Sequence, residues 1–407
     1  VSANDCLRPI SRYFDRITRP EQLLQALPKA MSVLTDPADC GPVTLGLCQD
    51  VQAEAWDYPE SFFAPRVWHM RRISSDAAEL SRAIEILKSA KRPMIVAGGG
   101  VRYSGASQAL TAFADAAGIP VAATQAGKSS LIEAHPMYVG SLGVTGASAA
   151  NNLAAKADVV LSVGSRLQDF TTGSNSLISG QVVALNVQPH DLVKHGARPL
   201  MADALNGIEA LAAGMAGYRT DDAYQSEIAG EWQGWTDAVD AVCRAPSDSN
   251  SLPSDSEVIG AVNRACSAET IVVGAAGSMP GELHKLWQVG TVDGYHMEYG
   301  FSCMGYEVAA GIGVDMAAPD RPNVVFAGDG SYLMLNAELA TAVMMGTRMT
   351  LIITDNRGFG CINRLQAGTG GAAFNNLFVD SHHEAMPEID FVAHAASMGA
   401  RAQKAGS

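Results

Sequence analysis

Short apolar runs alternate with amphipathic stretches through residues 77–215. Helical spacing of apolar positions occurs in three stretches, at residues 77–90, 108–117 and 151–157. Strand-like apolar runs follow them, at residues 93–100, 119–124, 158–164 and 181–187. This alternation predicts an α/β protein with a parallel, Rossmann-like sheet, in which residues 181–187 form the last strand.

The same pattern restarts after a polar stretch. Residues 217–254 are polar and mostly helical up to Cys243, and residues 246–256 are rich in Pro, Ser and Asp, as is typical of a linker. Beyond the linker, the pattern predicts helices at residues 255–266 and 306–316 and strands at residues 270–274, 324–327 and 349–354. A helical stretch with apolar positions at residues 335–344 joins the last two strands. A final helix begins near Ile389, and no closing strand follows it.

Residues 1–63 have the pattern of one helix, at 20–34, and one strand, at 42–47. A single helix and a single strand are too little to bury a core. We therefore expect this stretch to be the tail of a domain whose front lies outside the sequence, and the C-terminus to be incomplete as well. Residues 58–76 read as a linker. The predicted division is residues 1–63, a central domain with its linkers at 64–245, and a ligand-binding domain at 246–407.

Polar residues end both of the last two predicted strands. The first strand runs into Gly328-Asp329-Gly330-Ser331, and the second runs into Asp355-Asn356. Because parallel neighbours end at the same sheet edge, these residues should meet where open α/β folds bind ligands. Glycines allow close approach of the backbone, and amides at a helix start favour an anion. Oxygen ligands suit Mg²⁺, so the sequence predicts a diphosphate held through magnesium.

Composition and charge narrow the function classes. The chain has 407 residues, 47% of them hydrophobic, and 40 are Gly, which fits two or three compact α/β domains. A formal charge of −14 argues against a general nucleic-acid or anionic-membrane surface. No apolar run approaches the length of a membrane span. Seven cysteines without a Cys-x-x-Cys pair favour reduced thiols and a cytoplasmic location.

The spacing of Gly-Asp-Gly to Asp355-Asn356 resembles the signature of the thiamine-diphosphate-dependent enzymes of the acetolactate synthase type. That family usually has two asparagines where Asp355-Asn356 stands. The resemblance implies that Asp329, the Asn356 side chain and the Gly358 carbonyl hold the magnesium. It also implies that Met304 props thiamine into its bent form. The residues expected at the cofactor are Gly277, Ser278, Met304, Gly328, Asp329, Gly330, Ser331, Asn356, Gly358 and Phe359.

The likeness runs along essentially the whole chain, and residues 1–63 match the tail of that family's pyrimidine-binding domain. Residues 295–307 and 358–365 are similar to a branch that hydrolyses a C–C bond in inositol catabolism. In that branch a cyclic polyhydroxy dione is opened to a 5-deoxyuronic acid, with thiamine as the electron sink. Two alternatives stay open: a carboligase or decarboxylase acting on 2-oxo acids, and a non-catalytic remnant or interaction subunit.

The family's activating glutamate, donated across a dimer interface, has no counterpart in this sequence. We therefore expect a homo-oligomer, a dimer or larger, and a chain that is inactive without upstream residues. Substrate-side acid–base candidates are His284, His296, Glu298 and Glu307. Cys303 and Cys361 are expected to pack rather than react. The cluster His382-His383-Glu384 has the residue types of a metal site, and an exposed acidic loop is the alternative reading.

Two glycine motifs leave nucleotide binding by the central domain open. Gly98-Gly99-Gly100 is not a Gly-x-Gly-x-x-Gly motif, because Tyr103 occupies its last position. Gly127-Lys128-Ser129 resembles the end of a P-loop, but Ala122 replaces the first glycine. A purely structural sheet is the favoured interpretation.

Overall fold

The computed structural model describes residues 3–244 and 252–405. Within those ranges the strands form three separate sheets, and every strand pairing is parallel. The predicted α/β class with Rossmann-like parallel sheets is therefore confirmed. Residues 245–251 of the predicted linker lie outside the described residues.

The first sheet pairs two strands near the start of the chain. Its elements are β1 (Tyr13–Ile17), α1 (Leu23–Leu34) and β2 (Val43–Leu47). The prediction of a single strand here was wrong, because β1 was missed. Only Ile17 of that strand is fully buried, so no apolar run marks it. Ile17, Ala26 and Val51 form a small core.

The second sheet has six strands within the described residues, in the order β5-β4-β3-β6-β7-β8. It carries helices on both faces. Its elements are α2 (Ala77–Ser89), β3 (Pro93–Ala97), α3 (Gly99–Tyr103), α4 (Ser107–Ala117), β4 (Val121–Ala123), β5 (Tyr138–Ser141), α5 (Ser148–Lys156), β6 (Val159–Val163), α6 (Asp169–Thr172), β7 (Gln181–Asn186), α7 (Pro189–Leu192), β8 (Arg198–Met201) and α8 (Ala204–Gly214).

Alternate strand residues point into two different cores, one on each face of this sheet. Ile95 packs with Leu110 and Leu161 on one face, whereas Met94 packs with Leu153 on the other. Burial on both faces explains the continuous apolar runs that marked these strands. The prediction that residues 181–187 close the series was wrong, because β8 continues the sheet and β5 was also missed. Both are short edge strands, and Pro199 in β8 is tolerated only at such an edge.

A long helix, α9 (Asp222–Arg244), joins the second sheet to the third. Tyr224 and Ile228, near its start, pack in the core of the six-stranded sheet. Val239 and Cys243, near its end, pack in the core of the last sheet. The helix is therefore shared by both cores.

The third sheet has the order β10-β9-β11-β12 among the described residues. Its elements are α10 (Asp255–Ala265), β9 (Ile271–Gly274), α11 (Met279–Leu286), β10 (Tyr295–Met297), α12 (Tyr306–Ala317), β11 (Asn323–Gly328), α13 (Asp329–Met334), α14 (Glu338–Met345), β12 (Thr350–Thr354), α15 (Gly360–Gly368) and α16 (Phe391–Ser397).

Two expectations for this sheet need correction. The helix predicted between the last two strands is two helices, since α13 ends at Met334 and α14 begins at Glu338. In addition, the sequence pattern does not predict α11 or β10. The three-residue β10 is too short for a periodic signal, and α11 opens with Met279-Pro280-Gly281, which reads as a turn.

Two further properties bear on the class of protein. In the described part of the chain, no helix combines the length and apolar character needed to cross a bilayer. All seven cysteines fall in the described ranges and are free thiols.

Candidate functional site

The carboxyl ends of β11 and β12 lie side by side, as the sequence predicts. Gly328 is paired with Thr354 in the parallel register, so Asp329 and Asp355 follow at the same edge. Asp329 begins α13, and its Oδ2 accepts a hydrogen bond from the Gly358 N–H at 3.0 Å. This hydrogen bond holds the loop after β12 against the end of β11.

Asp329 is buried, with 4% of its surface exposed. Burial raises the pKa of its carboxyl group, and the nearby Asp355 carboxylate adds to that rise. Backbone N–H groups of Gly358, Gly330 and Asn356 counteract this effect without cancelling it. A buried carboxylate facing a second carboxylate is an unfavourable arrangement that a divalent cation would relieve.

The loop after β12 has a backbone that restricts its residue types. Arg357 has a φ of 56° and Gly358 a φ of 146°. A Cβ on Gly358 would lie 2.4 Å from the Asn376 carbonyl oxygen, so only glycine fits there. Asn356 is exposed, and its side-chain amide lies against Gly360 at the start of α15. The Asn356 side chain and the Gly358 carbonyl, both expected to bind magnesium, therefore lie on one short loop, and the Asp329 carboxylate is hydrogen-bonded to that loop. Together these groups supply oxygen ligands of the kind that Mg²⁺ requires.

The side chains of Phe359 and Met304 form an apolar wall next to Gly330. A Cβ placed there would lie 3.1 Å from the Phe359 ring and 3.6 Å from the Met304 methyl group. Met304 and Phe359 were both expected at the cofactor, and the structure brings them together at Gly330. Gly328 has open space where a side chain would be.

The loop after β9 supplies another exposed stretch of backbone. Gly277 is exposed, has a φ of 78°, and has open space where a side chain would lie. Ser278 follows it as the residue before α11. This loop comes from the strand next to β11, so it reaches the same edge as Asp329.

Ser331 directs its side chain away from open solvent. Its hydroxyl accepts a hydrogen bond from the Gly305 N–H at 2.9 Å and donates to the Glu307 carboxylate at 2.8 Å. Any contact between Ser331 and a ligand would therefore use the backbone N–H. Glu307 is 1% exposed and also accepts a hydrogen bond from the Ala276 N–H at 3.2 Å.

His284 lies between the second and third sheets rather than in an open cleft. Its imidazole is buried, and Nδ1 is 3.1 Å from the Thr145 hydroxyl oxygen. Burial, together with the nearby Lys128 ammonium, lowers the pKa of His284 to about 3. A buried neutral imidazole held this way has the contacts of a structural residue rather than those of the acid–base group considered from the sequence.

His296 lies in β10, and Glu298 is the first residue of the segment that leads from β10 to α12. His296 Nε2 is 2.8 Å from the Tyr306 hydroxyl oxygen, and burial, aided by the charge of Arg102, lowers the pKa of this histidine. Glu298 accepts hydrogen bonds from the N–H groups of Phe301 at 3.0 Å and Cys303 at 2.7 Å. Burial alone would raise the pKa of Glu298, but these amides outweigh it, and the net shift is downward. Glu298 is thus an ionised residue that shapes its own loop.

The remaining sequence candidates show no shared site. Cys303 is exposed, and slight desolvation together with the neighbouring Glu298 carboxylate raises the pKa of its thiol, which disfavours a reactive thiolate. Cys361 is half-buried in α15. His382, His383 and Glu384 are exposed on an irregular segment. Across residues 3–244 and 252–405, no three His, Cys, Asp or Glu side chains gather as metal ligands.

The P-loop-like residues of the central unit have a different role from the one that their sequence suggests. Lys128 is 1% exposed, and its Nζ donates to the His284 carbonyl oxygen at 2.7 Å, in the last turn of α11. Gln125 donates to the Pro280 carbonyl at the other end of the same helix. The six-stranded unit thus holds α11, the helix that begins after Ser278. Of these residues, only Lys128 lies in a recognisable sequence motif, and that motif suggests phosphate binding rather than contact with a helix.

Comparison with known proteins adds independent findings. Residues 80–211 match the family model "Thiamine pyrophosphate enzyme, central domain", and residues 275–406 match "Thiamine pyrophosphate enzyme, C-terminal TPP binding domain". Three similar proteins carry the name 3D-(3,5/4)-trihydroxycyclohexane-1,2-dione hydrolase. The one from Geobacillus thermodenitrificans is 42% identical over 400 residues, which cover 93% of this chain and 62% of the relative.

The other two relatives carry the same name and have similar identities. The Clostridium perfringens protein is 40% identical over 394 residues, covering 91% of this chain and 62% of the relative. The Bacillus cereus protein is 39% identical over 432 residues, covering 98% of this chain and 67% of the relative. The chain therefore spans about three fifths to two thirds of the length of these proteins.

Proposed function

The chain belongs to the thiamine pyrophosphate enzymes, and from that premise we propose that it hydrolyses a C–C bond of 3D-(3,5/4)-trihydroxycyclohexane-1,2-dione. Ring opening to a 5-deoxyuronic acid is the reaction in this proposal. The observation that carries it is an identity of 39–42% with hydrolases of that name over more than nine tenths of the chain. The buried Asp329 joined to Gly358 supports a metal–diphosphate site in the same region.

We assign magnesium to the Asp329 carboxylate, the Asn356 side-chain oxygen and the Gly358 carbonyl. Backbone N–H groups on the Gly277–Ser278 and Gly330–Ser331 segments would meet the diphosphate. When bound, thiamine diphosphate supplies the nucleophilic carbon and the electron sink that C–C cleavage needs. Met304 and Phe359, which pack at Gly330, would hold the ring system against that wall.

Proton transfer on the substrate side falls to His296 in this proposal. His284 is buried between two sheets, and each carboxylate oxygen of Glu298 already accepts a hydrogen bond from a backbone N–H. His296 is half-buried, and burial lowers its pKa, so the imidazole is neutral near pH 7 and able to accept a proton. Its partner Tyr306 fixes the orientation of the ring.

The proposal includes a domain division and a homo-oligomer. We divide the chain into residues 1–63, 64–245 and 246–407, in keeping with its three sheets.

Large apolar side chains stay exposed in the third unit, among them Phe301 at 92%, Val379 at 74% and Phe374 at 68%. Such exposure is typical of a surface that a further subunit covers.

The experiment uses the native protein with Mg²⁺ and thiamine diphosphate, and gives it the cyclic dione and pyruvate in separate reactions. NMR follows ring-opened acid, acetolactate and CO₂. The proposal expects ring-opened acid from the dione and no product from pyruvate. Acetolactate or CO₂ from pyruvate would instead make the protein a carboligase or decarboxylase, and no product from either would leave a non-catalytic subunit.

A further inference from the structure

A buried glutamate links three segments of the third unit that are far apart in sequence. Glu307 lies in the first turn of α12, and 1% of its surface is exposed. Its Oε1 accepts a hydrogen bond from the Ala276 N–H, on the loop after β9. Both carboxylate oxygens lie 2.8 Å from the Ser331 hydroxyl oxygen, at the start of the loop–helix unit after β11.

Ser331 extends the same network by one more bond. Its hydroxyl oxygen accepts from the N–H of Gly305, a residue with a φ of 88° that caps α12. Because the hydroxyl has one hydrogen, which it gives to Glu307, the direction of every bond in the network is fixed. The first turn of a helix also favours a negative charge, so α12 itself stabilises the Glu307 carboxylate.

Each segment in this network is next to residues that the proposed site uses. Ala276 precedes Gly277 and Ser278, Gly305 follows Met304, and Ser331 follows Gly330. Two of these segments would present amides to the diphosphate, and the third carries the apolar wall. The spacing between those amides depends on the groups that join the segments behind them.

We infer that Glu307 is a positioning residue that holds these three segments at the separation required by the diphosphate and thiamine rings. The inference rests on the proposed function. It replaces an acid–base role for Glu307, because a buried carboxylate that already accepts hydrogen bonds from the Ala276 N–H and the Ser331 hydroxyl has no free path to a substrate. Removing the network should loosen cofactor binding while leaving the chemical step of bound cofactor nearly intact.

Glu307→Met is the variant that tests the inference most sharply. Oε1 alone lies within hydrogen-bond distance of both the Ala276 N–H and the Ser331 hydroxyl, so a glutamine with its oxygen at that position would keep both bonds. Methionine keeps most of the side-chain volume and has no carboxylate oxygen, so it leaves the Ala276 N–H and the Ser331 hydroxyl without their acceptor. Ser331→Ala removes the other half of the network, and Glu269→Gln, an exposed glutamate before the opposite end of β9, is the matched control.

The first readout is the Kd of thiamine diphosphate at saturating Mg²⁺, measured by calorimetry on the native protein. Glu307→Met and Ser331→Ala should each raise Kd by roughly tenfold or more, and Glu269→Gln should leave it unchanged. At saturating cofactor, kcat of Glu307→Met should stay within about threefold of wild type with the same pH profile. A hundredfold loss of kcat with an altered pH profile would make Glu307 an acid–base residue and overturn the inference.

Amide hydrogen exchange of the cofactor-free protein is the second readout. The Ala276 amide should be protected in wild type and should exchange faster in Glu307→Met, without a matching change across β11. Unchanged exchange at Ala276 would overturn the inference whatever the cofactor result. If wild type binds no thiamine diphosphate, the proposed function fails, and the exchange result still decides whether Glu307 joins the three segments.

Discussion

The buried His284 should make the protein lose stability on mild acidification. The unfolded chain takes up a proton on this histidine near its ordinary pKa of 6.5, whereas in the folded protein the pKa is about 3. Between those values the unfolded state binds more protons, so stability is fully present above pH 6.5 and is lost as pH falls toward 3. Replacing the ring by His284→Asn removes this proton uptake and keeps a polar atom near Thr145.

The size of the stability loss follows from the shift in the pKa of His284. Each pH unit in this range costs about 1.4 kcal/mol for one group, so a change from pH 6.5 to about pH 5 should cost about 2 kcal/mol. Lys128, from the six-stranded unit, contacts the His284 carbonyl oxygen, and its Nζ lies 3.9 Å from the Glu133 carboxylate. Burial lowers the pKa of Lys128 and raises the pKa of Glu133, and the Glu133 shift opposes the histidine effect as pH falls. Comparing wild type with His284→Asn cancels that shared contribution.

Urea unfolding at several pH values between about 5 and 7.5 measures this difference. The free energy of unfolding of wild type should fall by about 2 kcal/mol more than that of His284→Asn over the acidic part of the range. His190→Asn, which replaces an exposed imidazole on α7, is the control and should keep the wild-type slope. Parallel slopes for wild type and His284→Asn would refute the assignment of His284 as a buried, neutral residue.

Two further predictions concern packing and charge within the units. Gly98→Ala would put a Cβ 2.4 Å from the Gly164 carbonyl oxygen, and we expect it to lower the free energy of unfolding by about 1–3 kcal/mol. Gly230→Ala, with open space around it in α9, should instead be neutral or stabilise by up to about 1 kcal/mol, and equal effects of the two in calorimetry would contradict the packing. Lys128→Met leaves Glu133 buried without its cation and should cost about 3–5 kcal/mol, part of which the double variant with Glu133→Gln should restore; a loss of stability no smaller in the double variant would exclude the charge pairing.

Much of the fold followed from the pattern of apolar residues. The strands around Ile95, Leu161 and Phe326 are buried on both faces, so each is a continuous apolar run that a short window detects. Strand β5 is buried, but it has only four residues, and two of them are Gly140 and Ser141. Strands β8 and β1 are only partly buried. The apolar pattern of a sequence therefore marks longer, buried strands and is weak in short or partly buried ones.

The candidate site was predictable only in part, for a similar reason. Asp329 and Asn356 end two neighbouring parallel strands, and that geometry follows from the topology alone. The contact between Glu307 and Ser331 joins residues 24 positions apart, and the one with Ala276 joins residues 31 apart. Nothing in the local sequence around Glu307 marks those partners, since a glutamate in the first helical turn is ordinary. Hydrogen bonds between distant loops depend on tertiary packing.

Cofactor binding through Asp329 is the claim on which the whole account depends. The decisive measurement is calorimetric titration of the native protein with thiamine diphosphate, with Mg²⁺ and then with EDTA, for wild type and Asp329→Ala. Asp320→Ala, at an exposed aspartate of the same unit, is the control. The account predicts binding that needs Mg²⁺, is unchanged in Asp320→Ala, and is weakened by roughly a hundredfold in Asp329→Ala, about 2.7 kcal/mol. Equal affinity in wild type and Asp329→Ala, or binding that survives EDTA, would contradict it.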